Sequence, residues 1–232
     1  MATVCFDLDD TLYREWDFVA SGYRSVAALL AADSDPADAT RYLELISARR
    51  PIGFEAAIDE LYPAINGRPC PYTVDALIEH YRAHTPDISL RPGVADMLCA
   101  LADAGHRLML ITDGSTRHQR SKIRALGLTR FFAPDDILIS EETGGDKTTT
   151  VPWAAVERTA RRSTGTNSRS DLWYIGDNMA KDFRLPGMRG WHTVMLLADS
   201  GNVFAQRPLD WPAENRPQCT ITHPGLLPDM IK

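Results

Sequence analysis

The stretch Thr3-Val4-Cys5-Phe6-Asp7-Leu8-Asp9-Asp10-Thr11-Leu12 decides how the chain folds. Its first four residues are apolar or β-branched without alternation, which suits a strand buried on both faces. The acidic residues that follow then stand at a strand C-terminus, where open parallel sheets bind their ligands. Asp7 and Asp9 are two positions apart, so on extended backbone their side chains share a side. Two carboxylates facing one crevice repel each other and need a cation, a shared proton or polar neighbours. Hard oxygen donors of this kind suit Mg²⁺, which takes one or two carboxylates and leaves its other positions to phosphate oxygens and water.

Similar short apolar runs recur at 108–111, 137–139, 172–175 and 193–197, with a weaker one around Thr220 and Ile221. Helical patterns separate most of them. Residues 93–104 place Val94, Met97, Leu98 and Leu101 at helical spacing, with Gly105 as the stop. Residues 115–126 end at Gly127, and residues 152–162 open on Pro152, which a first helical turn tolerates. Strands alternating with helices predict an α/β fold with a doubly wound parallel sheet, a Rossmann-like core. Residues 16–85 break the alternation. They show no strand pattern but up to four helices, carrying Phe18, Val26 and Leu30, then 40–49, then Phe54, Ile58 and Leu61, then Val74, Leu77 and Tyr81. Prolines at 51, 63, 69, 71 and 86 punctuate them. The predicted organisation is a core of residues 1–15 and 86–232 with a helical insert at 16–85.

Two further strand ends carry chemistry. The run 108–111 leads into Thr112-Asp113-Gly114-Ser115 and a helix. A hydroxyl, a flexible Gly and a helix N-terminus are the ingredients of an anion site, and Ser115 or Asp113 also suits a plain helix cap. The run 172–175 leads into Gly176-Asp177-Asn178-Met179-Ala180-Lys181-Asp182. Asp177 is placed to complete a metal site with the first pair, and Asp182 to orient the metal's waters or a Lys.

In this order the three features resemble motifs I, II and IV of the haloacid dehalogenase-like (HAD) hydrolase superfamily. Motif I, Asp-x-Asp-x-Thr, corresponds to Asp7, Asp9 and Thr11; motif II to Thr112; motif IV to Gly176, Asp177 and Asp182. The insert sits where that family's C1 cap sits. The resemblance implies that Asp7 is a nucleophile forming an aspartyl-phosphate, and that Asp9 protonates the leaving oxygen and then activates water. It implies Mg²⁺ held by Asp7, the Asp9 backbone carbonyl and Asp177. It implies a phosphate-binding set of Thr112, Asp113, Gly114 through its N–H, and a motif III Lys, with Thr11, Asn178 and Asp182 around these groups. Lys147 in Gly144-Gly145-Asp146-Lys147-Thr148 is the expected motif III residue, although many C1 relatives have Lys-Pro there. Lys122 and Lys181 are alternatives. Lys122, with Arg117, Arg120 and Arg124, reads as part of a solvated helix face.

Asp9 selects phosphoryl transfer over dehalogenation, because the family's 2-haloacid dehalogenases lack this second acid. Residues 16–85 contain no Lys, which argues against the family's Schiff-base phosphonate branch. A capped site implies a small phosphorylated metabolite, a sugar phosphate or a nucleotide, hydrolysed by a Mg²⁺-dependent phosphatase. A sugar-phosphate mutase and a retired regulatory or binding protein on the same fold are the other readings. Tyr13, Trp16, Tyr23, Arg24, Arg49, Arg50, Tyr62 and Arg68 are offered as substrate contacts, with most aromatics expected in the insert's own core.

Composition sets the remaining bounds. Of 232 residues, 44% are apolar and 24% charged, which excludes a wholly disordered chain. The net charge of −6 argues against a nucleic-acid partner. No apolar run reaches the roughly 20 residues that span a membrane, and no charged-then-apolar leader opens the chain. The expectation is a cytoplasmic protein, monomer or homodimer, with free thiols at Cys5, Cys70, Cys99 and Cys219. The polar run 199–217 suggests only a surface excursion.

Overall fold

The run Thr3–Phe6 is β1, and all four of its residues are buried. In the computed structural model, which describes residues 1–164, 171–197 and 201–231, it lies within a six-stranded sheet. The other strands are β2 (Arg107–Thr112), β3 (Ile137–Ile139), β4 (Leu172–Gly176), β5 (His192–Leu196) and β6 (Cys219–Ile221). Every neighbouring pair is parallel and the order is β3-β2-β1-β4-β5-β6. The chain builds outward from β1 on one side through β2 and β3, then fills the other side with β4 to β6. The order therefore reverses between β1 and β4, and a crevice opens there at the strand C-termini. This is the doubly wound α/β architecture that the alternation predicts.

Helices Val94–Asp103, Thr116–Ala125 and Val151–Thr164 return the chain between strands. Below the sheet, Trp153 packs edge-on against Tyr174 and Trp191, with ring centroids 4.9 and 5.5 Å apart. Glu157 is buried beside them. Its two oxygens accept from Arg189 Nε and Nη2 at 3.0 and 2.7 Å, and Oε1 also accepts from Trp191 Nε1 at 3.3 Å. Glu157→Ala would remove a two-point carboxylate partner from a guanidinium that solvent reaches only in part. A loss of about 2–3 kcal/mol is expected, read from urea unfolding; an unchanged midpoint would show the pair to be idle.

The chain divides into two units, Met1–Trp16 with Ile88–Lys232, and Asp17–Asp87. The second contains no strand among the described residues. It is built from helices Glu15–Leu30, Asp38–Ala48, Gly53–Ala56, Tyr62–Asn66 and Val74–Ala83, with a π-helical turn at Ala57–Leu61. That turn interrupts what the periodicity predicts as one helix. Val26, Leu30, Tyr42, Ile46, Tyr62 and Leu77 form its core. Tyr23 packs on Phe54 and Tyr81. Three of the arginines offered as substrate contacts are tied inside this unit: Arg24 to Asp87, Arg49 to Glu60, Arg68 to Asp33. Among the described residues no helix is long and apolar enough to cross a membrane.

Candidate active site

The ends of β1 and β4 bring the acidic residues together. The Asp7 N–H prolongs the ladder by donating to the Ile175 carbonyl at 2.9 Å, so Asp7 leaves the sheet directly beside the turn carrying Asp177. Carboxylate oxygens of Asp7, Asp177 and Asp182 lie within 4.8 Å of one another, all three residues buried. Asp7 Oδ2 accepts from the buried Thr11 hydroxyl at 3.1 Å. Asp7 Oδ1 accepts from Lys147 Nζ at 2.6 Å, and the same ammonium reaches Asp182 Oδ1 at 2.7 Å. Lys147 is itself only 4% exposed. Its backbone is pinned as well, with N–H to Asp113 Oδ1 at 3.1 Å and its carbonyl to Trp153 Nε1 at 3.1 Å.

Asp182 is fully buried and fully engaged. Besides Lys147, it accepts from the Tyr174 hydroxyl at 3.1 Å and from the Asp177 and Asn178 N–H groups at 3.1 and 2.8 Å. It holds the turn and the lysine rather than facing the pocket. Gly176 is required for this: a Cβ there would overlap the Asp182 carboxylate. Asn178 shapes the same turn, its Oδ1 accepting from the Ala180 N–H at 2.9 Å.

The charge balance is strained. Burial raises the Asp7 carboxyl to about 7, against the pull of Lys147, with Asp182 and Asp9 adding to the rise. Burial likewise raises Asp177 to about 9, followed by repulsion from Asp7, Asp182 and Asp10. Lys147 is driven the other way from its burial, well above its usual value, by Asp182 and Asp7. Excess buried negative charge on oxygen donors is what a hard divalent cation relieves. The donor set therefore fits Mg²⁺ through Asp7 and Asp177.

Asp9 points to a different set of partners. Its Oδ1 accepts from Lys122 Nζ at 2.6 Å and from the Tyr13 hydroxyl, and its Oδ2 from Gln119 Nε2 at 2.8 Å. Burial works to raise this carboxyl, but the Lys122 charge and the hydrogen bonds outweigh it and hold the group below its ordinary value. Lys122 is thus not on a solvated face; it is 6% exposed and ion-paired. Helix Thr116–Ala125 turns Gln119 and Lys122 inward together, three positions apart on one face. Tyr13, read from sequence as a substrate contact, is a buried partner of Asp9 in the first unit.

The end of β2 adds the remaining wall. The buried Thr112 hydroxyl lies 2.5 Å from Gln119 Nε2. Asp113 faces the pocket, its Oδ2 holding Lys181 Nζ at 3.0 Å. The Gly114 N–H, which the family resemblance directs to phosphate, donates instead to Ser140 Oγ at 2.9 Å. Gly114 has φ 137°, a conformation that glycine favours. Asp10, unremarked in sequence, has φ 57° and works as a pin. Its carboxylate accepts from the Glu15 and Val203 N–H groups at 2.9 and 2.6 Å. The cavity between these groups measures about 130 Å³.

Three comparisons bear on this site. The family model described as haloacid dehalogenase-like hydrolase matches residues 1–184. A glyceraldehyde 3-phosphate phosphatase of Methanocaldococcus jannaschii is 29% identical over 198 residues, covering 84% of each chain. A ribulose-1,5-bisphosphate 5-phosphatase of Halopiger xanaduensis is 29% identical, covering 84% of this chain and 85% of its own. Among solved structures, a HAD hydrolase of Bacillus subtilis bound to magnesium superposes with a TM-score of 0.61 at 21% identity, over 100% of this chain and 98% of that one, a likeness of fold.

Proposed function

Because the chain belongs to the haloacid dehalogenase-like hydrolases, we propose that it is a Mg²⁺-dependent phosphatase acting on a small sugar phosphate through an aspartyl-phosphate on Asp7. The observation that carries this reading is the Asp7 carboxylate, oriented by Thr11 and Lys147 beside Asp177 in a cavity lined mostly by charged groups. The named relatives act on phosphorylated sugars of three and five carbons, which supports a sugar phosphate ahead of a nucleotide.

An Asp7 oxygen attacks phosphorus, the P–O bond to the sugar breaks, and the leaving oxygen takes a proton from Asp9. Water, giving its proton back to Asp9, then cleaves the acyl phosphate and restores Asp7. The resting contacts of Asp9 favour the ionised carboxylate, the form that serves as base toward water. Entry of a phosphate dianion raises a neighbouring carboxyl and draws up the acid form. Lys147 offsets negative charge at the nucleophile, and Thr112 offers its hydroxyl to the transferring oxygens. Asp113 holds Lys181 and the Lys147 backbone at the pocket, while the Gly114 N–H is taken by Ser140 and is left out of the phosphate contacts. Mg²⁺, held by Asp7, Asp177 and the Asp9 carbonyl, would screen the nucleophile from the incoming dianion and stabilise the spreading charge.

Phosphate release from a panel of three- to six-carbon sugar phosphates and nucleotides, with Mg²⁺ or EDTA, tests the proposal. Release that needs Mg²⁺ and favours the sugars is expected; metal-independent release would sink the metal assignment. A second test concerns Lys122. Lys122→Met loosens Asp9 and is expected to slow alkyl phosphate turnover about 10–100-fold. The pre-steady-state burst of phenolate from p-nitrophenyl phosphate needs no proton and should survive. Equal loss of both would mean that Lys122 does not act through Asp9.

A further inference from the structure

The polar segment between β5 and β6, for which the sequence suggests no function, runs along the mouth of the active site. Residues 198–200, within its start, lie outside the described residues. From Asn202 onward it is tied down at successive points. Asn202 Oδ1 accepts from Arg91 Nη2 at 2.6 Å, and its Nδ2 donates to Asp177 Oδ2 at 3.0 Å. The Val203 N–H donates to Asp10 Oδ2 at 2.6 Å. Gln206 Nε2 donates to the Leu196 carbonyl at 2.8 Å. Between these anchors stands Phe204, 53% exposed. It lines the same cavity as Asp7, Lys147 and Asp177, and every other residue lining that cavity is polar or charged.

We propose that Phe204 is a specificity-determining residue, the apolar wall on which the carbon skeleton of the phosphate ester packs. The phosphatase reading underlies this in one respect only, that a phosphate is what occupies the cavity beside it. A cavity lined by carboxylates and lysines grips a phosphoryl group and its cation but has no means of sensing what the phosphate is attached to. Ligand sites combine such polar groups with apolar surface that recognises the rest of the ligand. Phe204 is the one apolar side chain available to do so among the described residues of this cavity. Its neighbours' hydrogen bonds hold its backbone in place before a ligand arrives, so little ordering cost is added on binding. An aromatic face suits the C–H-bearing side of a sugar or carbon chain.

The test is equilibrium binding by calorimetry, with Mg²⁺ present, of methylphosphonate and phenylphosphonate to the full chain. Both carry the anionic group, and only the second extends past it. Wild type is expected to bind phenylphosphonate at least about fivefold more tightly than methylphosphonate. Phe204→Ala should bring the two within about twofold while leaving methylphosphonate affinity as it was, and Phe204→Leu should keep part of the preference. The proposal is overturned if wild type shows no preference, if Phe204→Ala retains it, or if that variant weakens both compounds in parallel. Failure of wild type to bind either compound overturns it together with the anion site. Hydrolysis of p-nitrophenyl phosphate by the same preparation reports separately: binding preference without hydrolysis leaves the wall standing and removes the phosphatase reading.

Discussion

Asp7→Asn is expected to lower phosphate release by about 10³-fold or more, with no rescue by added Mg²⁺. The amide has almost the shape of the carboxylate, so Thr11 and Lys147 keep a partner and the packing survives. What disappears is the nucleophile and one anionic donor for the cation. The fold provides a control of opposite sign. Asp7 holds its proton up to about 7 in the folded chain, whereas an unfolded Asp releases it near 3.9. Between those values the folded state binds more protons than the unfolded state, so stability falls as pH rises through that window. In EDTA at pH 8 the variant, which has no charge to bury there, should melt at a higher temperature than wild type. Undiminished turnover would eliminate Asp7 as nucleophile. A lower melting temperature would show that its charge is compensated.

Lys147→Met is expected to cost both stability and activity. The ammonium sits between Asp7 and Asp182, bonded to both and sealed from water. Removing it leaves two buried carboxylates facing each other, the situation in which breaking an ion pair costs about 3–5 kcal/mol. Turnover should fall by about 10²–10³-fold even at temperatures where the variant remains folded. Lys147→Arg separates charge from shape. It should regain part of the stability but little of the activity, because a planar fork does not place one donor between two acids. Urea unfolding alongside phosphate release measures both. Wild-type turnover in Lys147→Met would leave Asp7 needing no cationic partner, and Lys181, held on Asp113 at 3.0 Å, would not replace it.

Some of this was legible before any fold was known. The unalternated run at residues 3–6 predicts a strand buried on both faces, and β1 is one. Asp7 and Asp177 follow such runs, so their place at strand ends follows from local pattern alone, and parallel neighbours bring those ends together. Lys147 was singled out by the family resemblance, which expects a Lys ahead of the helix that returns the chain to β4. Lys122 was misread, because helix Thr116–Ala125 carries basic residues around much of its circumference. Periodicity does not say which of them packs inward. Its partner Asp9 lies 113 residues away, and only the seating of that helix on the sheet selects Lys122 and Gln119.

Local pattern sufficed for the α/β architecture, the strand ends that carry the acids, and an insert made of helices, because each depends on a few neighbouring residues. Long-range packing selects which lysine holds which aspartate, gives the Gly114 N–H to Ser140, and brings residues 202–203 onto Asp177 and Asp10. These are pairings of single polar atoms across long loops. They are chosen by which groups share a buried space and must find a partner there, a choice that no local pattern encodes.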